Sequence, residues 1–261
     1  MPFTVSHTAA VLPFLRWLER ARILPAAIIG SMAPDFGLIL PFWMPRYETH
    51  GRMALLTFCL PLGLLAWLLY ETLIRPALLE VAPDRWWSRW RERGAVALAS
   101  ARAWLVAAVA VSGGAMTHLA WDAFTHENAR GVAMFPLLED MSWRVNGHPM
   151  YLFRILQHLS SVLGLALVLW VAWRWHRQSP PVPAQTARAL APAERWSWIG
   201  IYVVIPAATT AVAALLTLRA SEPMYASAAS LARVAEAGMT GATASLVVVS
   251  LLLRLRLGFE R

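Results

Sequence analysis

The sequence has no lysine and a single cysteine, Cys59, and both scarcities narrow the chemistry open to the chain. One cysteine cannot form an intramolecular disulfide or a zinc site built from several thiolates, so a secreted disulfide-rich scaffold is excluded. The lack of lysine excludes covalent catalysis through a lysine amine. Charged residues are also scarce, at 15% against about 25% in soluble domains, whereas hydrophobic residues reach 58%. This composition excludes a disordered chain and an ordinary cytosolic enzyme.

The apolar residues occur in long runs, and a run of roughly 20 such residues is enough to cross a membrane. We predict an all-α fold, a polytopic transmembrane helical bundle that forms one integral membrane domain over residues 1–261. Residues 8–43 are predicted to form an N-terminal helical hairpin, interrupted at Pro34, Asp35 and Gly37. Non-helical backbone at membrane depth requires surrounding protein or a wet cavity, so the hairpin either spans or re-enters the membrane. Five full spans are predicted at about 53–74, 95–116, 152–173, 198–218 and 237–253.

The arginines are divided unevenly between the two sides that these spans define. Alternating the spans places 16 arginines on the side of the C-terminus and 7 on the side of the N-terminus. The positive-inside rule makes the arginine-rich side cytoplasmic. We therefore expect a multi-pass protein of the cytoplasmic membrane. The net charge of +8 then reflects cytoplasmic loops, and no nucleic-acid partner is expected.

The strongest motif is His118-x3-Asp122-x3-His126, near the end of the second predicted span. On a helix, positions i, i+4 and i+8 drift by only roughly 80°, so these residues form one polar stripe. Imidazole nitrogens and carboxylate oxygens are ligands for zinc, manganese or iron. His126 would lie roughly 12 Å from His118 along the axis, so one ion contacts all three only if the helix ends near Phe124. A two-ion site and a polar helix end without metal are the alternatives.

Further candidate ligands come from other segments on the arginine-poor side, which carries six of the seven histidines. An ionisable residue within an apolar segment is a functional-site hypothesis by default. Asp122 and Asp35 are therefore candidates for a catalytic base as well as for ligands. Arg52 and Arg154, at span entrances, are candidates for binding a substrate phosphate. The predicted metal ligands are His7, Asp35, His50, His118, Asp122, His126 and His158.

These segments also carry a resemblance to a known family. The motifs are Met1-Pro-Phe-Thr-Val-Ser-His7, Gly30-Ser-Met-Ala-Pro-Asp35, Thr49-His-Gly51, Cys59-Leu-Pro-Leu-Gly63, Thr117–His126 and Leu156-Gln-His-Leu-Ser-Ser161. Together they resemble a bacterial integral-membrane family, catalogued as domain-of-unknown-function family 4184, over nearly the whole chain. The arrangement is also similar to membrane-bound metal-dependent hydrolases and, more remotely, to zinc-dependent phospholipase C. That similarity implies a metal, zinc first, held by His7, Asp35, His118 and Asp122.

Three functions are compared on this basis. The first is a metal-dependent membrane hydrolase that acts on a lipid-linked phosphoester or diphosphate at the outer interface of the membrane. The second is a metal or small-solute transporter or binding protein without catalysis, although the polar residues cluster on one side instead of crossing the membrane. The third is lipid synthesis on a Mg²⁺-bound diphosphate, for which the sequence lacks the carboxylate-rich D-D-x-x-D motif. The hydrolase is the leading hypothesis, and the sequence indicates no oligomeric state.

The arginine asymmetry generates a topological prediction, with the N-terminus outside and the C-terminus inside the cell. A phosphatase reporter fused after Arg261 should be inactive, and a fluorescent reporter at the same position should be bright. A C-terminal phosphatase fusion with full periplasmic activity would reverse the predicted orientation.

Overall fold

The structure is a computed structural model that describes residues 4–40, 44–51, 53–84, 86–87, 98–145, 148–179, 189–220 and 227–258. Helices dominate these residues, with one short β-hairpin between two of them. Five helices are long and apolar enough to cross a membrane, which confirms the predicted all-α, multi-pass fold class. They are Leu55–Val81, Ala101–Asp122, Leu152–Gln178, Pro192–Arg219 and Ala232–Leu257.

The helices are numbered in chain order. They are α1 (Leu15–Arg20), α2 (Leu24–Met32), α3 (Arg46–His50), α4 (Leu55–Val81), α5 (Ala101–Asp122), α6 (Arg130–Met134), α7 (Leu152–Gln178), α8 (Pro192–Ala220) and α9 (Ser227–Leu257). Shorter 3₁₀ helices cover Thr4–Phe14, Ala33–Leu38 and Pro136–Glu139. Strands β1 (Met141–Val145) and β2 (His148–Tyr151) pair antiparallel, with Val145 opposite His148.

The five spans have different bounds from the predicted ones. The predicted spans 53–74, 152–173, 198–218 and 237–253 are each shorter than the observed helix. The prediction at 95–116 ends six residues before α5 does, at Asp122. The reason is that helical hydrogen bonds between main-chain groups continue through polar residues, whereas the prediction followed apolar side chains. The polar turn that holds His118 and Asp122 is therefore part of the span.

The first half of the N-terminal hairpin predicted at 8–43 begins in a 3₁₀ helix, which is wound more tightly than an α-helix. Thr4–Phe14 is a 3₁₀ helix that includes Pro13, and α1 follows it. The second arm is α2 followed by the 3₁₀ turn Ala33–Leu38, and together they are too short to count among the five spans. The change to a 3₁₀ turn at Pro34 carries Asp35 into the buried part of the structure. Residues 41–43 lie outside the described part of the chain.

Helix α4 contains two wide turns of π-helix, at Leu55–Cys59 and Tyr70–Ile74. Each is followed two residues later by a proline, Pro61 or Pro76. A proline lacks the N–H group for the helical hydrogen bond and its ring crowds the carbonyl four residues earlier. A wider preceding turn relieves that crowding, so the helix continues past both prolines.

The chain divides into two compact units. The first contains Met1–Phe36, Met44–Leu65 and Ala97–Trp175, and it holds the histidine-rich segments. The second contains Gly37–Trp43, Ala66–Val96 and His176–Arg261. The core of the second unit forms where α8 and α9 pack against the second half of α4, around Ala77, Val81, Leu190 and Leu253.

Within the first unit, α2 packs closely along α5 through small residues. A Cβ atom added to Gly30 would lie 2.2 Å from the Val111 carbonyl oxygen, and one added to Gly114 would lie 2.2 Å from the Ala27 carbonyl oxygen. Small residues let helix backbones approach in this way in membranes. The contact fixes the position of the 3₁₀ turn after α2 against the last turn of α5, which is where the polar side chains meet.

This packing predicts different effects of two neighbouring substitutions. Gly114→Ala should lower the free energy of unfolding by about 1–3 kcal/mol, because the added methyl group overlaps a backbone carbonyl. Gly113→Ala is the matched control, since an added Cβ there meets open space. It should be neutral or stabilise by about 0.5–1 kcal/mol. Thermal unfolding in detergent measures both, and equal stabilities for the two variants would contradict the packing argument.

Candidate metal centre

A cluster of ionisable side chains is buried at the end of α5. Asp122 is the last residue of that helix and His118 lies one turn before it, with 4% and 0% of their surface exposed. The 3₁₀ turn after α2 brings Asp35 to the same place, the N-terminal 3₁₀ helix brings His7, and α3 brings His50. Four sequence-distant segments of the first unit thus converge on one point.

The tautomer of His118 is fixed by a backbone hydrogen bond. Its Nδ1 lies 2.8 Å from the carbonyl oxygen of Ser31, which can only accept, so Nδ1 carries the hydrogen. In the neutral ring, Nε2 then has a free lone pair. Nε2 is buried and has no hydrogen-bond partner among the described residues. It faces Asp35 Oδ1 at 3.7 Å and Asp122 Oδ2 at 3.4 Å.

His50 is held in the same way. Its Nδ1 lies 2.7 Å from Thr49 Oγ1, whose hydroxyl donates to the carbonyl oxygen of Arg46. When the hydroxyl hydrogen points to Arg46, the Nδ1–H of His50 donates to the threonine and its Nε2 keeps the lone pair. That Nε2 lacks a hydrogen-bond partner within the described part of the chain and faces Asp35 Oδ1 at 3.5 Å and Asp122 Oδ2 at 3.4 Å. Hydrogen bonds of this kind orient metal-binding histidines.

The four distances between these nitrogens and oxygens match a shared ion better than direct ion pairs. A charge-assisted N–H···O bond is about 2.7–2.9 Å long. Two ligand atoms bound at about 2.0–2.1 Å to a tetrahedral zinc ion lie about 3.3 Å apart. The observed distances run from 3.4 to 3.7 Å. The four nitrogen–oxygen separations among His50, His118, Asp35 and Asp122 are thus close to those expected for ligands of one divalent ion such as zinc.

The other oxygen of Asp122 is occupied by two further histidines. His7 Nε2 lies 3.1 Å from Asp122 Oδ1, and His126 Nδ1 lies 3.3 Å from the same atom. The ring of His7 is fully buried and stacks on the ring of His118, with centroids 3.8 Å apart. These contacts leave Oδ2 as the atom of Asp122 that faces the ligand nitrogens. On the second carboxylate, Thr4 Oγ1 donates to Asp35 Oδ2 at 2.8 Å, which leaves Oδ1.

Both nitrogens of His126 are engaged by protein groups. The amide nitrogen of Gln157 lies 2.9 Å from His126 Nε2 and donates to it, while Nδ1 faces Thr125 Oγ1 and Asp122. Burial lowers the pKa of His126 to about 4, and the positive charge of Arg46 adds to this effect. The ring is therefore neutral at pH 7. Helix α5 ends at Asp122, and the turn after it brings His126 back toward the carboxylate instead of extending it along the axis.

Arg46 joins the cluster from the outside. Its Nη2 donates to Asp122 Oδ2 at 2.6 Å, although the Arg46 side chain remains 51% exposed. The side chains of His50 and His126 are 11% and 18% exposed, whereas those of His7 and His118 are fully buried. The cluster thus has a buried side and a partly open side, and the guanidinium group lies on the open side.

The geometry favours one ion over two. Two groups of ligand atoms lie within 4.8 Å of one another, namely His7 with Asp35 and His118, and His50 with His118 and Asp122. Both groups include His118, whose only free lone pair is on Nε2 because Nδ1 donates to Ser31. His118 therefore cannot bind two ions at once. Nδ1 of His7 is buried with no hydrogen-bond partner among the described residues, so it is an additional nitrogen beside the set of four.

Six of the seven predicted metal ligands meet in this cluster, and His158 does not. His158 lies on α7 with an exposed side chain, and its neighbour Gln157 reaches the cluster instead. Of the two predicted phosphate-binding residues, Arg154 lies 3.5 Å from Glu127, with 40% of its side chain exposed. Arg52 lies outside the described residues.

The sequence contained signals for two residues that were not selected. Arg46 and His50 are four residues apart, which places them on one face of α3. Gln157, Ser160, Ser161 and Gly164 follow the i, i+3, i+4, i+7 pattern of a single helix face, and this pattern excludes His158 from that face. No local pattern indicated the Ser31 carbonyl, because a main-chain acceptor has no residue signature.

The chain matches the family described as "Domain of unknown function (DUF4184)" over residues 1–251, and it belongs to that family. The predicted family membership is confirmed over a range that includes every residue of the cluster. No curated protein and no solved structure matches the chain. The family description states no activity, so the function has to be argued from the cluster itself.

The cluster predicts a defined metal content. Protein purified without chelator should contain about one divalent ion per chain, and His118→Ala should reduce this to near zero because it removes the residue that both groups of ligand atoms share. The matched control is His158→Ala, which changes an exposed histidine outside the cluster and should leave the content at about one. Elemental analysis after size-exclusion chromatography measures all three. Equal metal content in the two variants would show that the ion binds elsewhere.

Proposed function

We propose that this DUF4184-family protein is a membrane-embedded, metal-dependent hydrolase that acts on a lipid-linked phosphoester or diphosphate. The ion, zinc first, is held by His50, His118, Asp35 and Asp122. The observation that carries the proposal is the pair of Nε2 atoms that face two carboxylate oxygens at 3.4–3.7 Å while their Nδ1 atoms are held by protein oxygens. A nitrogen lone pair and a carboxylate oxygen repel one another unless a metal ion or a proton lies between them.

With four protein ligands, the ion would have to take up water as a fifth ligand, and it would then lower the pKa of that water and polarise a phosphoryl oxygen. Asp122 acts as a ligand in this proposal and not as the general base, because His7 and His126 occupy its Oδ1, while Oδ2 faces the ligand nitrogens and also accepts a hydrogen bond from Arg46. Asp35 has the same arrangement, with Thr4 on its Oδ2. Both carboxylates are therefore oriented to bind through one oxygen each.

Among the arginines that the structure describes, Arg46 is the best placed to bind a phosphate group. An arginine binds phosphate through two parallel hydrogen bonds, and its charge offsets that of the substrate. Nη2 of Arg46 is engaged by Asp122, and half of the side chain is exposed on the open side of the cluster. This places a guanidinium group beside the proposed ion, whereas Arg154 is paired with Glu127. We therefore assign the phosphate-binding role to Arg46.

A lipid substrate is supported by the location of the cluster. Asp122 and His118 belong to the last turn of a helix long and apolar enough to cross a membrane. A site at the end of a span lies near the headgroup layer, where a phosphate bound to a lipid is also found. Tyr47, next to Arg46, is 73% exposed, which suits a residue that contacts lipid at the interface.

The proposal predicts how substitutions of Arg46 affect turnover. With a panel of lipid phosphomonoesters and diphosphates in detergent micelles, Arg46→Ala should lower kcat/KM on the order of 10²-fold. Arg46→Lys should recover part of the loss, because it restores the charge without the paired hydrogen bonds. Phosphate release measures the rate, and metal content should stay at the level of the unmodified protein.

Arg16→Ala is the control for loss of one positive charge, since Arg16 is an exposed residue of α1. It should leave kcat/KM unchanged. The absence of metal-dependent turnover over the whole panel, in protein that contains the ion, would contradict the hydrolase. The ion would then belong to a closed site of four protein ligands, as structural zinc sites do, and a binding protein without catalysis would be the better account.

A further inference from the structure

The exposed side of α5 forms a continuous stripe. Leu105, Val109, Gly113, Met116 and Ala120 are all exposed and follow one another at intervals of three or four residues. Such a stripe on a helix long enough to cross a membrane faces lipid. The opposite face is buried and leads to His118 and Asp122. One helix therefore carries a lipid-facing side and a side that ends in the candidate metal centre.

The stripe does not stop at the end of the helix. Phe124 follows at the next interval and is 44% exposed, and its ring lies 6.0 Å from the ring of Phe135. Phe135 belongs to the segment between α5 and α7, and it is 53% exposed. Lipid-facing surface thus passes directly from the span into the connecting segment.

That segment is fastened to the end of α5. The main-chain N–H of Val132 donates to the Ala123 carbonyl oxygen at 2.9 Å, and the Val132 side chain is 1% exposed. An added Cβ on Gly131 would lie 2.5 Å from the same carbonyl oxygen, so the two backbones are in direct contact. The anchored turn directs its remaining apolar side chains outward. Met134 is 74% exposed and Leu137 is 65% exposed.

We propose that this segment lies in the bilayer interface, with its apolar residues inserted among lipid acyl chains beside the metal centre. The residues are Phe124, Met134, Phe135, Leu137 and Met141, and we call this surface the apolar shelf. A cluster of exposed apolar side chains on a short amphipathic segment is typical of membrane-surface binding. The occupant is the bilayer that surrounds the spans, because the shelf continues the lipid-facing stripe of α5.

The shelf has a polar side as well. Glu139 and Asp140 are exposed in and after the same 3₁₀ turn that contains Leu137, and Arg130 is exposed at the start of α6. Leu137 and Glu139 are two residues apart on a 3₁₀ helix. Because such a helix has three residues per turn, their side chains point in different directions. The segment can therefore insert its apolar side chains and keep its charged side chains in water.

One consequence rests on the proposed function. Asp122 and Phe124 are two residues apart, so the shelf places the metal centre at the depth of the lipid headgroups. A lipid phosphate would then reach Arg46 laterally from the bilayer, without leaving it. The position of the shelf itself does not depend on any catalytic activity.

Spin labels measure the depth of the shelf directly. The buried Cys59 is replaced in a Cys59→Ala background, and single cysteines are introduced as Leu137→Cys, Met134→Cys, Glu139→Cys and Met116→Cys. Each labelled protein is placed in vesicles of phosphatidylcholine and phosphatidylglycerol. Collision rates with oxygen, which concentrates in lipid, and with a nickel chelate, which stays in water, then report the depth of each label.

The labels at positions 134 and 137 should show an oxygen-to-nickel ratio several-fold above that at position 139 and nearer to that at position 116. Equal nickel accessibility at positions 137 and 139, with position 116 protected, would overturn the proposal and place the segment in water. Loss of lipid phosphate turnover would bear only on the proposed function, since the depth measurement involves no catalysis. Two positions on the shelf keep the test decisive if one variant fails to insert.

Discussion

The burial of two carboxylates within reach of the same two imidazole nitrogens is the constraint on which the rest of the site depends. Asp35 and Asp122 are 9% and 4% exposed, and an unpaired buried charge costs several kcal/mol. Arg46 offsets one of the two charges through Asp122. Hydrogen bonds from Thr4 and His7 stabilise the outer oxygens without adding charge in their neutral forms, and His126 Nδ1 lies 3.3 Å from the outer oxygen of Asp122. In the proposed centre, a divalent cation between the inner oxygens would more than offset the remaining negative charge, and the facing nitrogens would supply its remaining ligands.

The close contact between α2 and α5 makes this arrangement possible. Gly30 and Gly114 allow the two backbones to touch, and the Ser31 carbonyl that fixes His118 lies in the same contact. The same contact between α2 and α5 therefore packs the small residues together and orients the candidate ligand His118. The tight 3₁₀ turn at Pro34 then directs Asp35 inward, whereas a continued α-helix would require the N–H group that Pro34 lacks.

Much of this could be predicted from the sequence because it depends on local spacing. The i, i+4 relation of His118 and Asp122 and the rarity of carboxylates in apolar segments both pointed to the cluster. The fold class followed from the length of the apolar runs. The bounds of the spans did not, because main-chain hydrogen bonds continue through the polar turn to Asp122. Whether His158 or Gln157 faces the cluster depends on how α7 is rotated about its own axis. A single histidine in the sequence does not indicate that rotation.

The proposed metal centre stands or falls with the atoms that bind the ion. X-ray absorption spectroscopy of the purified, metal-containing protein reports the elements bound to the ion and their distances. The account predicts a first shell of nitrogen and oxygen at about 2.0–2.1 Å, with the outer-shell scattering of two imidazole rings that disappears in part in His50→Ala. A first shell that contains sulfur, from Cys59 or a methionine, or a fully hydrated ion without imidazole scattering, would contradict the proposed centre.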